Sequence, residues 1–157
     1  MALEPIVSTV YLDIYDHDTT PTVIKTIASD RQTRFVQAYL QKQGEVYRPD
    51  PEATAYLVAL RPDRSVVVGP AELIELVPAT MVPDPSTPGW DSPAFIEEPA
   101  IYGPKAEITK EMTAVVGTIT FQFKIVQGDE ELRTEVFKSN NGINVENAGN
   151  CVIDLTE

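Results

Sequence analysis

Three features of this chain predict an all-β fold, an antiparallel β-sandwich with one short helix and a long proline-rich loop. Apolar and polar side chains alternate with period two over 9–15, 33–41 and 118–126, the pattern of strands buried on one face. Turn-forming clusters separate these runs at short intervals, as in sandwiches and barrels. The length of 157 residues, with 43% hydrophobic content, suits one domain with a core that needs no staples. The expectation is a single domain over 1–157, with its core over about 9–139, the loop at 78–104 and a terminal extension at 140–157.

The first strand runs from about Thr9 to Tyr15, with Val10, Leu12 and Ile14 on one face and Tyr11, Asp13 and Tyr15 on the other. Asp16 to Pro21 is a polar turn. Thr22 to Ala28 is β-branched and apolar enough for a second strand, broken by Ser29 to Gln32. Thr33 to Gln41 places Val36, Ala38 and Leu40 opposite Phe35, Gln37 and Tyr39, and Lys42 to Glu45 turns the chain. Ala53 to Leu60 is apolar nearly throughout and reads as a strand buried on both faces. It runs into an Arg61-Pro62-Asp63-Arg64 hairpin turn, then a strand over Ser65 to Val68.

Pro78 to Pro104 differs in kind. Seven of the 13 prolines lie in these 27 residues. Proline cannot donate to a ladder, so a central strand is excluded there and a long loop is expected. Trp90, Phe95, Ile96, Ile101 and Tyr102 either pin this loop to the body or make it an interaction arm, with Trp90, Phe95 and Tyr102 as interface candidates. Beyond it, Thr109 can cap a short helix over 109–114, and Gly117 stops it. From Thr118, Ile119, Phe121, Phe123 and Ile125 share a face, and Gln127-Gly128-Asp129 turns into a return strand through Leu132, Thr134 and Val136. Asn140-Asn141-Gly142 is a further turn, and 143–157 holds one or two short terminal strands.

Acidic residues outnumber basic ones, 24 to 12, for a formal charge of −12. That balance opposes phosphate and anionic membrane surfaces and favours solubility or basic partners. The arginines are dispersed among acidic residues and form no nucleic-acid stripe. No run approaches the roughly 18 apolar residues of a membrane span, and the start has no secretory pattern, so a soluble protein made in a cytoplasm is expected.

Catalytic motifs are absent from the sequence. His17 is the single histidine and Cys151 the single cysteine, which excludes an internal disulfide. Asp16-His17-Asp18 offers a poor start to a metal site, because adjacent extended side chains point apart. Neither a nucleophile elbow nor a phosphate-binding glycine loop occurs. The carboxylate runs Glu97-Glu98 and Asp129-Glu130-Glu131 read as solvated surface. The expectation is no enzyme, no metal and no cofactor; only a spatially formed carboxylate pair would make the chain a hydrolase.

Three blocks carry a family likeness. Arg31-Gln32-Thr33-Arg34-Phe35-Val36 is a polar turn entering an Arg-plus-apolar strand. Tyr56 to Val66 is a strand, a basic-Pro-Asp turn and a strand, and Ile108 to Ser139 is a short helix, a Gly-led strand and a closing strand ending near Lys-Ser. Over most of 9–139 the chain resembles the N-terminal domain of the phage baseplate upper protein family of Gram-positive siphoviruses and prophages. Arg64 stands where that family's turn has Gly, which implies a different turn or Arg64 at positive φ.

The resemblance implies a non-catalytic attachment module of a phage or prophage tail tip. Its partners would be other tail and baseplate proteins, it would be a homo-oligomer within the assembly, and its place would be the virion after synthesis in the bacterial host cytoplasm. Host recognition would belong to the distal region that follows in family members. The alternative is a carbohydrate-binding β-sandwich, with Trp90 and Tyr102 stacking on sugars and Asp91 as a hydrogen-bond partner.

Overall fold

The computed structural model describes residues 4–14, 22–28, 30, 32–83 and 95–143. The described strands are β1 (Ile6–Asp13), β2 (Val23–Ile27), β3 (Arg34–Lys42), β4 (Glu45–Val46), β5 (Thr54–Leu60), β6 (Val66–Val77), β7 (Thr80–Pro83), β8 (Phe95–Glu98), β9 (Ile101–Glu107), β10 (Gly117–Gln127), β11 (Glu130–Arg133) and β12 (Phe137–Gly142). Ten of them form one sheet in the order β1-β3-β9-β6-β5-β10-β12-β2, with β11 beside β10 and β4 beside β3. The sheet curls until it is nearly closed. Glu135 N donates to Asp13 O over 2.9 Å, which joins the end of β1 to the segment that leads into β12.

The all-β class holds, but the antiparallel sandwich does not. The hairpins β3–β4, β5–β6 and β10–β11 are antiparallel, as short turns require. The pairs β1–β3 and β2–β12 are parallel, so the sheet is mixed. Parallel pairing is made by chain crossing a distance, and period-two alternation looks the same in either sense, so the sequence carries no local mark of it.

The core follows the alternation. Val10 and Leu12, then Val36, Ala38 and Leu40, then Ile119, Phe121, Phe123 and Ile125 all point inward and are buried, as their spacing predicts. On β5 only Ala55, Leu57 and Ala59 are buried, whereas Tyr56 and Val58 are half-buried, so this strand is not covered on both faces. Ala59 lies opposite Phe121 and Ala55 opposite Ile125, so small residues leave room for large ones across the pair. Phe137 closes this core, with ring centroids 5.3 Å from Phe121 and 5.8 Å from Phe123.

Several expectations need correction. The 109–114 segment is a hydrogen-bonded turn, with no helix. Thr109 does cap it, its Oγ1 accepting from Met112 N at 3.3 Å and its carbonyl from Thr113 N at 3.3 Å. The turn does not propagate, because β-branched Thr113, Val115 and Val116 disfavour helix and the carbonyls of Thr113 and Val115 are taken by Asn141. Asn140-Asn141-Gly142 is the end of β12, not a turn. The return strand stops at Arg133, and the chain reaches β12 through Thr134 to Val136. The strand expected over Ser65 to Val68 extends to Val77.

The exclusion of a central strand from 78–104 also fails. β9 begins at Ile101, contains Pro104 and lies between β3 and β6. Pro104 fits because the β3 ladder covers only Lys105, Ala106 and Glu107, so β9 is paired on one side alone at the proline. Pro70 uses the same device on β6: it pairs with Tyr56 of β5, and pairing with β9 starts only at Ala71. The terminal strands expected within 143–157 lie outside the described residues from 144 onward.

Candidate interface

The segment 78–100 leaves the main sheet between β6 and β9, where Val77 faces Ile101. Its two described strands, β7 and β8, pair antiparallel with each other and with no strand of the main sheet, making a two-stranded arm. Thr80 faces Glu98, Met81 faces Glu97, Val82 faces Ile96 and Pro83 faces Phe95. Over these four pairs, from the body outward, the arm is therefore acidic first and apolar beyond. Met81 is 61% exposed, Phe95 54% and Ile96 46%, a poor arrangement for a hairpin that has only water around it.

The three interface candidates fare differently. Phe95 lies on the arm and is exposed. Tyr102 lies on β9 in the main sheet, half-buried opposite Glu75, so it belongs to the body and not to the arm. Trp90 lies outside the described residues, as do Asp91, His17 and Cys151. Met81 is an exposed apolar side chain of the arm that sequence reading did not single out; its place beside Glu97 shows only once β7 and β8 are seen to pair.

The outer face of the sheet offers two further surfaces. On β5 and β6, Val58 faces Val68 and Leu60 faces Val66, and Leu60, Val66 and Val68 are exposed. Val58 and Val68 of this stripe line a groove of about 480 Å³ together with Tyr56, Gln122, Lys124, Val126, Glu131 and Arg133. Lys124 Nζ and Arg133 Nη2 both contact Glu131, at 3.4 and 3.2 Å, so two cations share one carboxylate at its edge. On β1 and β3, Tyr11 stacks on Tyr39 at 5.1 Å, and Gln37 Nε2 donates to Thr9 Oγ1 at 3.1 Å.

The ionisable groups with resolved shifts serve the backbone. Asp63 is held well below the usual carboxylate range, first by the Arg61 guanidinium and then by the Ser65 hydroxyl and amide. Its Oδ1 accepts from Ser65 N at 3.0 Å, and Arg61 Nη1 reaches the Glu111 carbonyl at 3.1 Å, so the hairpin is tied to the 110–113 turn. Arg64 has φ 70°, so of the two outcomes open where Gly is replaced, a different turn or a positive φ, the backbone adopts the second. Asp50, in a cleft of about 410 Å³, is lowered by the amide of Glu52 and by Gln127. Neither carboxyl moves upward, the direction a general acid needs. Among the described residues, no three His, Cys, Asp or Glu side chains converge as metal ligands, and no helix is long and apolar enough to cross a membrane.

No family model matches the chain, and no curated protein matches it. Among solved structures, the chain is similar to the N-terminal domain of phage TP901-1 ORF48, with a TM-score of 0.47 and 11% identity. The match covers 86% of this chain and 99% of that one.

Proposed function

We propose that this chain is a non-catalytic attachment module of a phage or prophage tail tip, holding other tail proteins through its arm and outer sheet faces. The observation that carries the docking role is the β7–β8 arm, which displays Met81, Phe95 and Ile96 without a covering element among the described residues. Exposed apolar side chains on a projecting element are the usual anchors of protein interfaces. The tail assignment itself comes from the three-block sequence resemblance. Those blocks fall on the start of β3, on the β5–β6 hairpin, and on the turn with β10, β11 and β12.

The test is co-expression with the products of the adjacent tail genes, followed by purification of complexes. The wild-type chain should co-purify with at least one tail protein, and Met81→Asp combined with Phe95→Asp should abolish this at unchanged melting temperature. Absence of any complex, together with glycan binding lost on Trp90→Ala or Tyr102→Ala, would replace this reading with the carbohydrate-binding one.

A further inference from the structure

We infer that the groove across β5, β6, β10 and β11 holds an extended partner segment in which a carboxylate side chain is followed, on the same face, by aliphatic ones. This rests on the attachment reading and names the chemistry of the partner that one outer sheet face takes. The cationic end of the groove is built at a cost. Lys124 and Arg133 are direct partners in the β10–β11 ladder, and like charges set opposite each other across a strand pair destabilise it. One carboxylate, Glu131, answers both, at 3.4 and 3.2 Å. Lys124 Nζ also lies 6.0 Å from the centre of the Tyr56 ring, and the Arg133 guanidinium has more donors than those it turns to Glu131. A second carboxylate arriving here would relieve the repulsion between the two cations.

Charge and spacing select the occupant. The chain carries −12 overall, so its surface as a whole repels anions. Other clefts follow that balance: Asp50, Glu130 and Glu131 line one, and Lys105 lies with Glu72 and Glu107 in another. In the groove two cations meet one carboxylate. A simple anion would leave the rest of it uncovered, because Val58 and Val68 face each other in the β5–β6 ladder and Val68 is 56% exposed. From the Lys124–Arg133 pair to the Val58–Val68 pair is two strand spacings across and two residues along, about 12 Å in all. An extended chain sets side chains on one face about 7 Å apart, so a step of four residues covers about 13 Å. Glu or Asp followed two and four positions later by Val, Ile or Leu therefore puts the carboxylate on the cations and the last aliphatic side chain on the valines.

The probe is the peptide acetyl-Glu-Thr-Val-Thr-Val-amide, titrated into the full chain and followed by amide NMR shifts. Saturable shifts should appear at Val58, Val68, Lys124 and Arg133, and binding should weaken with salt. Lys124→Gln with Arg133→Gln, and separately Val68→Asp, should each weaken binding about tenfold or more, with melting curves establishing that both variants are folded. The peptide with Gln in place of Glu should lose a similar factor on wild type. Lys105→Gln changes a cation outside the groove and should bind like wild type. No saturable binding, groove variants that bind like wild type, an equal loss in Lys105→Gln, or displacement of the peptide by acetate at equal concentration would each overturn the inference. So would groove shifts that grow with protein concentration in the absence of peptide, which would make a second copy the occupant. Co-purification tested with Met81→Asp and Phe95→Asp concerns the arm, so the attachment reading fails or survives separately.

Discussion

Thr26 Oγ1 on β2 donates to Asn141 Oδ1 on β12 over 2.9 Å, inside the core. The Thr26 hydroxyl also lies 2.6 Å from Ser139 Oγ, and Asn141 Nδ2 donates to the carbonyls of Thr113 at 2.9 Å and Val115 at 2.7 Å. One buried amide thus joins the parallel β2–β12 pair to the turn before β10. Asn141→Ala removes all three bonds, and a buried polar group that loses its partner costs about 1–3 kcal/mol. The expected loss is at least about 2 kcal/mol in denaturant unfolding. Asn141→Asp should be comparably damaging, because it keeps the acceptor but loses both donors. A near-neutral Asn141→Ala would mean that water replaces the amide.

Phe121 is fully buried and stacks on Phe137, so Phe121→Ala should cost about 3–5 kcal/mol through lost transfer energy and a cavity. Thr118 on the same strand is exposed, and Thr118→Ala should be close to silent. Gln122→Ala is not a silent control: its Nε2 donates to Thr134 O at 2.7 Å, and the loss should be about 1 kcal/mol. Equal small effects at Phe121 and Thr118 would show the faces of β10 to be wrongly assigned.

The strands were legible wherever alternation was local. Val36 to Leu40 and Ile119 to Ile125 each declare a face, and turns such as Gln127 to Asp129 declare where a strand ends. What was hidden is the order of the sheet. Nothing near Val10 announces that β1 lies parallel beside β3, because that pairing depends on chain far from both strands. Pro104 misled because the rule against central-strand proline holds only where both sides of the strand are paired, and pairing extent is a tertiary property. Asn140-Asn141-Gly142 misled likewise: its turn propensity is overridden by the buried partners that Asn141 finds on β2 and beyond. Of the candidate interface, Phe95 was legible as an aromatic in a proline-rich segment, while the groove, assembled from four strands, was not.

A Cβ placed on Gly103 would sit 2.0 Å from the Ala38 carbonyl oxygen and 2.5 Å from Leu76 Cδ1. The nearer atom is backbone, so it cannot step aside as a side-chain end does. Gly103→Ala should therefore force β9 away from β3 and destabilise by about 1–3 kcal/mol or more, the range for overpacked cores. Gly44→Ala is a useful contrast: there the added methyl meets no neighbour and the cost comes from its φ of +83° alone. Thermal melting of both variants checks the difference, and a silent Gly103→Ala would mean that the two strands separate easily.

The Asp63 carboxyl is held below an ordinary aspartate's value of about 3.9, first by Arg61 and then by Ser65. A depressed folded-state value stabilises the hairpin at pH above the unfolded value, and that contribution disappears as pH falls through the folded value. Wild type minus Asp63→Asn should thus show a constant stability difference at neutral pH that shrinks in strong acid. The group is exposed, so the difference should be small and should weaken with salt. Carboxyl NMR finding Asp63 titrating at the ordinary value would remove the basis for this.

Val77 and Ile101 face each other in register, so the arm is an insertion into what would otherwise be a plain β6–β9 hairpin. Replacing 78–100 with Asn-Gly would join these partners by a two-residue turn of the type that suits strand twist. Deleting the arm removes Met81, Phe95 and Ile96, all exposed, and shortens the loop to be closed, which lowers its entropic cost. The melting temperature should stay the same or rise, while co-purification with tail proteins should be lost. The competing arrangement has the arm, Trp90 included, acting as a lid over the body. It predicts the opposite result: a fall of roughly 2–4 °C for each kcal/mol of packing removed. Such a fall would place the segment in the core and end its role as an interface.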